Sequence, residues 1–206
     1  MADQVTALRA YHDLGEEAAG SGRPGPAGVS LREVSGFALT QIACWPDTLI
    51  EAGALAARAA GCDSAPGPGQ VATGARGRLL RVEPLKWWLI REAGSAPIAD
   101  MPAELGAALE LSSARTWVRV EGAEASRLLN HFLPLDLRSD AFPPDRVAST
   151  AFHHVGITLW RSGGAFELAL PRSFAASLWE LLVDSARQYG LVTGEAAYAL
   201  ADGDEK

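Results

Sequence analysis

The stretch that decides the fold is TWVRVEGAEASRLLNHFLPLD (Thr116–Asp136), a short proline-broken loop, then HHVGITLWRSGGAFELALPRSFAASLWELLVDSARQY (His153–Tyr189). Thr116–Val120 alternates as a strand, and Glu121-Gly122 turns into a helix carrying Leu128, Leu129, Phe132 and Leu133 at helical spacing. Arg146–Ala151 and Val155–Trp160 read as strands. Phe166–Leu170 alternates clearly after the Gly163-Gly164 turn. Pro171–Tyr189 reads as a helix with Phe174, Leu178, Leu181, Leu182 and Tyr189 on one face, stopped by Gly190. The order is strand, helix, strand, strand, helix, an α+β unit.

The residues upstream follow the same plan. VSGFALTQIAC (Val34–Cys44) reads as a strand, and Trp45-Pro46-Asp47 opens a helix because proline and an acid both suit a first turn. Leu49, Ile50, Ala54, Ala57 and Ala60 give that helix an apolar face, and Gly61 ends it. A loop follows, then the strands RLLRVEP and KWWLIREAG, and a short helix over Pro102–Leu111. Placing Trp45 over Glu121 aligns the halves at a shift of 76 residues (121 − 45). The expected organisation is an N-terminal arm and Gly/Pro linker over 1–30, one α+β domain over 31–192 built of two similar halves (31–111 and 112–192), and an acidic tail over 193–206. The linker Gly15–Gly28 has nothing to bury, which predicts an arm detached from the core.

Composition bounds the function. At 206 residues, 48% hydrophobic and 21% charged, the chain can bury a sizeable core. A net charge of −7 gives no field that attracts nucleic acid or anionic lipid. Two cysteines, Cys44 and Cys62, make no disulfide framework and suit a reducing compartment. No signal-like N-terminus and no run of eighteen apolar residues is present, so the expectation is a cytoplasmic protein without a membrane span.

Candidate chemistry is sparse. His153-His154 stand out, but adjacent strand residues point to opposite faces and do not converge on an ion. GARGR (Gly74–Arg78) lacks the lysine and the strand-to-helix setting of a phosphate loop, and reads as a surface loop. Ser35-Gly36 and Ser162-Gly163 are turn residues rather than nucleophile elbows. Asp136, Asp140 and Asp145 crowd one loop, where solvated acids are the plain reading against a carboxylate dyad. Cys44 and Cys62 have no matched histidine and read as small hydrophobes. Trp87, Trp88, Trp117, Trp160 and Trp179 lie near strands and the last helix. Since Trp87 and Trp88 face opposite sides, one belongs to a second packed layer or to a partner surface. No catalytic, cofactor-binding or metal-binding residue is assigned.

RLLRVEPLKWWLI (Arg78–Ile90), LSSARTWVRVEGAEASRLLNHFLPLDL (Leu111–Leu137), AFPPDRVASTAFHHVGITLWR (Ala141–Arg161) and FELALPRSFAASLWELL (Phe166–Leu182) resemble the gamma subunits of heterotetrameric sarcosine oxidases. The likeness runs from Leu31 to Tyr189 and is strongest in PLDLRSDAFP, LWR and PRSFAASLWELL. It implies a fold like the folate-binding domain of the glycine-cleavage aminomethyltransferase. It also implies alpha, beta and delta partner chains that carry FAD, FMN, NAD, tetrahydrofolate and zinc. Such complexes oxidatively demethylate an N-methyl amino acid, passing the carbon to tetrahydrofolate or releasing formaldehyde. The gamma chain has no assigned catalytic role in that family. Aminomethyltransferases have an asparagine turn after the strand matching FELAL, then an essential aspartate in the helix. Here Pro171 stands near the first, and Ser177-Leu178 near the second. A free-standing folate-dependent one-carbon protein, the alternative, would need an acid there, and a generic binding module is the third reading.

Overall fold

The computed structural model describes residues 6–8, 11, 27–96 and 101–200. They form eleven strands, β1 (Val29–Ser35), β2 (Phe37–Cys44), β3 (Val71–Gly74), β4 (Gly77–Glu83), β5 (Lys86–Glu92), β6 (Gly106–Glu110), β7 (Arg115–Glu121), β8 (Val147–Phe152), β9 (Val155–Ser162), β10 (Ala165–Pro171) and β11 (Leu191–Ala197). Three α-helices join them: α1 (Leu49–Ala60), α2 (Ala125–Leu129) and α3 (Ala175–Ala186). The class is α+β, dominated by sheet.

Two compact units share the chain. The first comprises Met1–Ser35, Ala114–Pro144 and Ser149–Ala197, and the second Gly36–Ser113, Asp145–Ala148 and Tyr198–Lys206. This interleaving differs from halves cut at 111 and 112. The reason lies at Ser35-Gly36. Gly36 adopts φ 79°, a conformation glycine reaches without strain, and it breaks the expected strand over Val34–Cys44 into β1 and β2, which enter different sheets.

The first unit carries a six-stranded sheet in the order β11-β1-β7-β10-β9-β8. Its central strand β10 is buried along Ala165–Leu170, so both faces are covered. Helix α3 buries Ala175, Leu178, Trp179, Leu182, Val183 and Ala186, the i, i+3, i+4, i+7 stripe of an amphipathic helix. Phe174 and Leu181, expected on that face, are instead exposed by 49% and 40%, because they sit at the edge of the stripe. The helix is also shorter than Pro171–Tyr189, with single 3₁₀ turns over Arg172–Phe174 and Arg187–Tyr189. The predicted tail from 193 gives way to strand as far as Ala197, held parallel to β1 from Val29–Leu191 to Ser35–Ala197. Ala7 and Leu8, read as part of a detached arm, are bound. Both backbone N–H groups donate to the buried Glu33 carboxylate at 3.0 and 3.2 Å, and Leu8 is fully buried. Most of the rest of the expected N-terminal arm and of its Gly/Pro linker lies outside the described residues.

The second unit carries a five-stranded sheet in the order β3-β4-β5-β2-β6. Helix α1 packs on it through Ala52, Ala56 and Ala60 against Ile42, Cys44, Leu79, Trp87 and Leu89. Ile50, assigned to the buried face by sequence, is 87% exposed. The buried stripe is one of Ala52, Gly53, Ala56, Ala57 and Ala60. Gly61 ends the helix at φ 74°, and the Cys62 N–H reaches back to the Ala57 carbonyl at 2.9 Å, a Schellman closure. The expected helix over Pro102–Leu111 is instead a turn and β6, because pairing with β2 from Thr40–Glu110 to Cys44–Gly106 satisfies its backbone better than one isolated helical turn would. The two units repeat one plan. Leu49 and Ala125 open the helices and Val71 and Val147 the next strands, each 76 residues apart (125 − 49 and 147 − 71).

Candidate functional site

The residues singled out from sequence are dispersed. His153 has φ 51° and sits with His154 in the exposed turn between β8 and β9, not on a strand as expected. The His153 ring meets Phe132 edge-on at 5.4 Å, and Phe132 stacks on Phe152 at 4.6 Å. In the same turn after α2 as Phe132, His131 Nε2 shares a hydrogen bond of 2.9 Å with the Tyr189 hydroxyl. The imidazoles therefore belong to an aromatic cluster. Among the described residues no group of three or more His, Cys, Asp or Glu side chains is placed to hold a metal ion.

GARGR is a hairpin tip that folds back on the end of α1. The Ala75 and Arg76 N–H groups bond the Gly61 and Ala60 carbonyls at 3.3 and 2.9 Å, and the Arg76 guanidinium bonds the Arg58 carbonyl. The loop therefore satisfies orphan carbonyls at the end of α1 rather than cradling a phosphate. Asp136 binds Arg138 through its side chain and backbone N–H, which lowers its pKa to about 2. Asp140 is exposed, and Asp145, at φ 65°, uses its carbonyl to accept the Val71 N–H at 2.8 Å. No hydrogen bond joins any two of these acids. Burial raises the Cys44 thiol pKa, and burial together with Asp63 raises that of Cys62. Trp87 and Trp88 are both buried, which places Trp88 in a second packed layer, its indole N–H on Gln41 Oε1 at 3.3 Å.

The one concentrated polar site among the described residues is one that sequence reasoning passed over. Glu167, in the middle of β10, is fully buried. Its Oε2 accepts the Trp117 indole N–H at 2.6 Å, and its Oε1 accepts Arg119 Nε at 2.8 Å, with Nη2 also at 2.8 Å. Strand register dictates the meeting, since Glu167 stands opposite Arg119 on β7 and opposite Trp160 on β9. Trp160 then lies against Trp117, with centroids 4.9 Å apart. A carboxylate bound at one oxygen by a guanidinium and at the other by an indole is fixed in place, and it ties β7 to β10. The sequence signal is slight: Glu167 interrupts the otherwise apolar β10, but Arg119 sits in β7 beside Arg115, Thr116 and Glu121, so the pairing shows only in the register.

No family model matches the chain. The subunit gamma of sarcosine oxidase from Corynebacterium sp. (strain U-96) is 28% identical over 171 residues, covering 80% of this chain and 82% of that one. The corresponding subunit from Arthrobacter sp is 31% identical over 111 residues, covering 52% of this chain and 55% of that one. The chain is similar to the sarcosine oxidase gamma subunits. In structure, a chain of the heterotetrameric sarcosine oxidase from Corynebacterium sp. U-96 superposes with a TM-score of 0.71 at 22% identity, covering 95% of this chain and 98% of that one. Aminomethyltransferase T of the glycine cleavage system from Bartonella henselae superposes with a TM-score of 0.59 at 19% identity over 86% of this chain and 50% of its own length. The expected resemblance and fold therefore both hold. This gamma-like chain has the fold of half an aminomethyltransferase T. At the position where the resemblance implies an aspartate, Ser177 is exposed on α3 and Leu178 is buried in the core. Neither offers a carboxylate.

Proposed function

We propose that this chain is the accessory gamma subunit of a heterotetrameric sarcosine oxidase-type complex that oxidatively demethylates an N-methyl amino acid, passing the carbon to tetrahydrofolate or releasing formaldehyde. In this reading the alpha, beta and delta partners carry the FAD, FMN, NAD, tetrahydrofolate and zinc, and the isolated chain has no activity of its own. The supporting observation is near end-to-end correspondence with one chain of a sarcosine oxidase heterotetramer, at 95% and 98% coverage. The local chemistry agrees. The buried Leu178 does not suit a folate-turnover residue, and Glu167 is committed to Arg119 and Trp117. No step of the demethylation is therefore routed through this chain. Its role is to fold stably and to hold its partners.

The test is recovery of the tagged chain from its native cells, followed by mass spectrometry and an absorption spectrum of the eluate. The expected eluate contains four chains in equal amounts, shows a flavin absorption spectrum, and consumes sarcosine or another N-methyl amino acid. A colourless eluate of this chain alone, binding tetrahydrofolate by calorimetry, would instead support the free-standing one-carbon protein.

A further inference from the structure

The two sheets repeat one arrangement but differ by one strand. In each, a central strand (β7 or β2) runs into a helix and is flanked antiparallel on one side by the last strand of the following meander (β10 or β5). On the other side it is flanked antiparallel by β1 or β6. In the first sheet a sixth strand, β11, lies parallel to β1 along all seven residues. In the second sheet, among the described residues, β6 is the edge on that side.

That edge is suited to pairing. Ala107, Ala108, Leu109 and Glu110 are all exposed, Leu109 by 55%. The Leu111 N–H bonds the Leu39 carbonyl at 2.8 Å and the Trp45 N–H bonds the Leu105 carbonyl at 3.4 Å, so odd-numbered residues face β2. Antiparallel alternation then turns the N–H and C=O of Ala108 and Glu110 outward. Within Ala107–Leu109 there is no proline, charge or bulge of the kind that protects edges from association. Just beyond the strand, Trp45 is 54% exposed, with its indole fixed by a 3.0 Å bond to the Ala103 carbonyl. A tryptophan held in one orientation loses little entropy when a partner covers it.

We propose that β6 takes a sixth strand from a partner subunit, an extended segment running parallel to β6 as β11 does to β1, with an apolar side chain against Leu109. The inference rests on the functional reading above. Such strand addition draws affinity from main-chain hydrogen bonds and specificity from alternate side chains.

The test is hydrogen exchange on the recovered complex and on the free chain, together with recovery of partner chains by Ala108→Pro. The substitution removes an outward donor and leaves the inner ladder intact. Expected are slowing of the Ala108 and Glu110 amides by about tenfold or more in the complex, and loss of partner recovery by an Ala108→Pro chain whose circular dichroism matches the parent. If that variant unfolds, the exchange result on the unsubstituted chain decides alone. Equal exchange at β6 in complex and free chain, with the partners still recovered, overturns the strand addition and leaves the subunit role standing. Undiminished recovery by a folded Ala108→Pro chain does the same, as does protection of β6 by self-association of the free chain. An unsubstituted chain that recovers no partner overturns both readings.

Discussion

Glu167 and Arg119 stand directly opposite each other at the centre of the first sheet, the carboxylate fully buried and the guanidinium bound to one of its oxygens through two nitrogens. Removing one member strands a buried charge, which costs about 3–5 kcal/mol. Glu167→Gln or Arg119→Met should therefore lower the thermal midpoint by roughly 6–20 °C in a chain of this size. Replacing both with apolar residues should recover much of the loss, short of the bond from Trp117, because no charge remains to desolvate. Thermal unfolding of the three variants checks this. If each single variant matches the parent within a degree or so, the pair does not hold β7 to β10.

Gly74 is needed for close approach rather than for its dihedral angles. A Cβ there would lie 2.4 Å from the Ala60 carbonyl oxygen and 2.5 Å from the Gly61 carbonyl carbon, both backbone atoms. The hairpin would have to move off the end of α1 and give up the bonds from Ala75 and Arg76. Gly74→Ala should destabilise by about 1–3 kcal/mol, a typical overpacking cost, whereas Gly164→Ala, where nothing lies within 4 Å, should change little. Denaturant unfolding of the two variants tests the contrast, and equal midpoints would refute it.

Asp136 should titrate far below an ordinary carboxyl. Its hydrogen bonds from Arg138 lower its pKa from 3.8 to about 2. The sign follows from linkage. The depressed pKa means the unfolded chain binds the proton more tightly, so the stabilising effect is complete above pH 3.8 and is lost as pH falls towards 2. Carbon-detected NMR titration should give an Asp136 midpoint near 2, and Arg138→Gln should return it towards 3.8. A midpoint already near 3.8 in the parent would show that the pair is open in solution.

Much of the fold was legible because periodicity reports burial directly. β7, β9 and β10 lie within two residues of their expected bounds, although β10 is buried on both faces rather than alternately. The break at Gly36 was not legible, since Val34–Cys44 reads as one alternating strand, whereas the positive φ at Gly36 and the sheet order show that the chain changes sheets there. Nor was β6. Its GAALE suits helix or strand equally, and long-range pairing to β2 decided between them. The face of α1 was misjudged because Leu49 and Ile50 outweigh alanine in any hydrophobic count. The sheet admits the narrow alanine face, where backbones approach closely. Glu167 was missed for a related reason. Alternation places a polar residue facing out, and only the register opposite Arg119 makes it an interior partner.

The two thiols should be nearly inert at neutral pH, although one is half-exposed. Burial raises the Cys44 pKa against the opposing pull of Arg81, and its Sγ lies 3.6 Å from the Leu85 carbonyl. Cys62 is raised by burial and by the neighbouring Asp63 charge, with its Sγ 3.8 Å from the Ala72 carbonyl. The reactive species is the thiolate, so a raised pKa slows attack on a disulfide reagent even where the sulfur can be reached. Labelling with a chromogenic disulfide at pH 7 should be slow at both positions in the folded chain and fast once guanidinium unfolds it. Because the folded pKa values exceed the ordinary thiol value of 9.0, this contribution to stability is present below that pH and lost as pH rises through the folded values. Replacing Cys62 by serine should therefore blunt the alkaline fall in stability. Rapid labelling of Cys44 in the native chain would contradict its place in the core with Ile42 and Trp87.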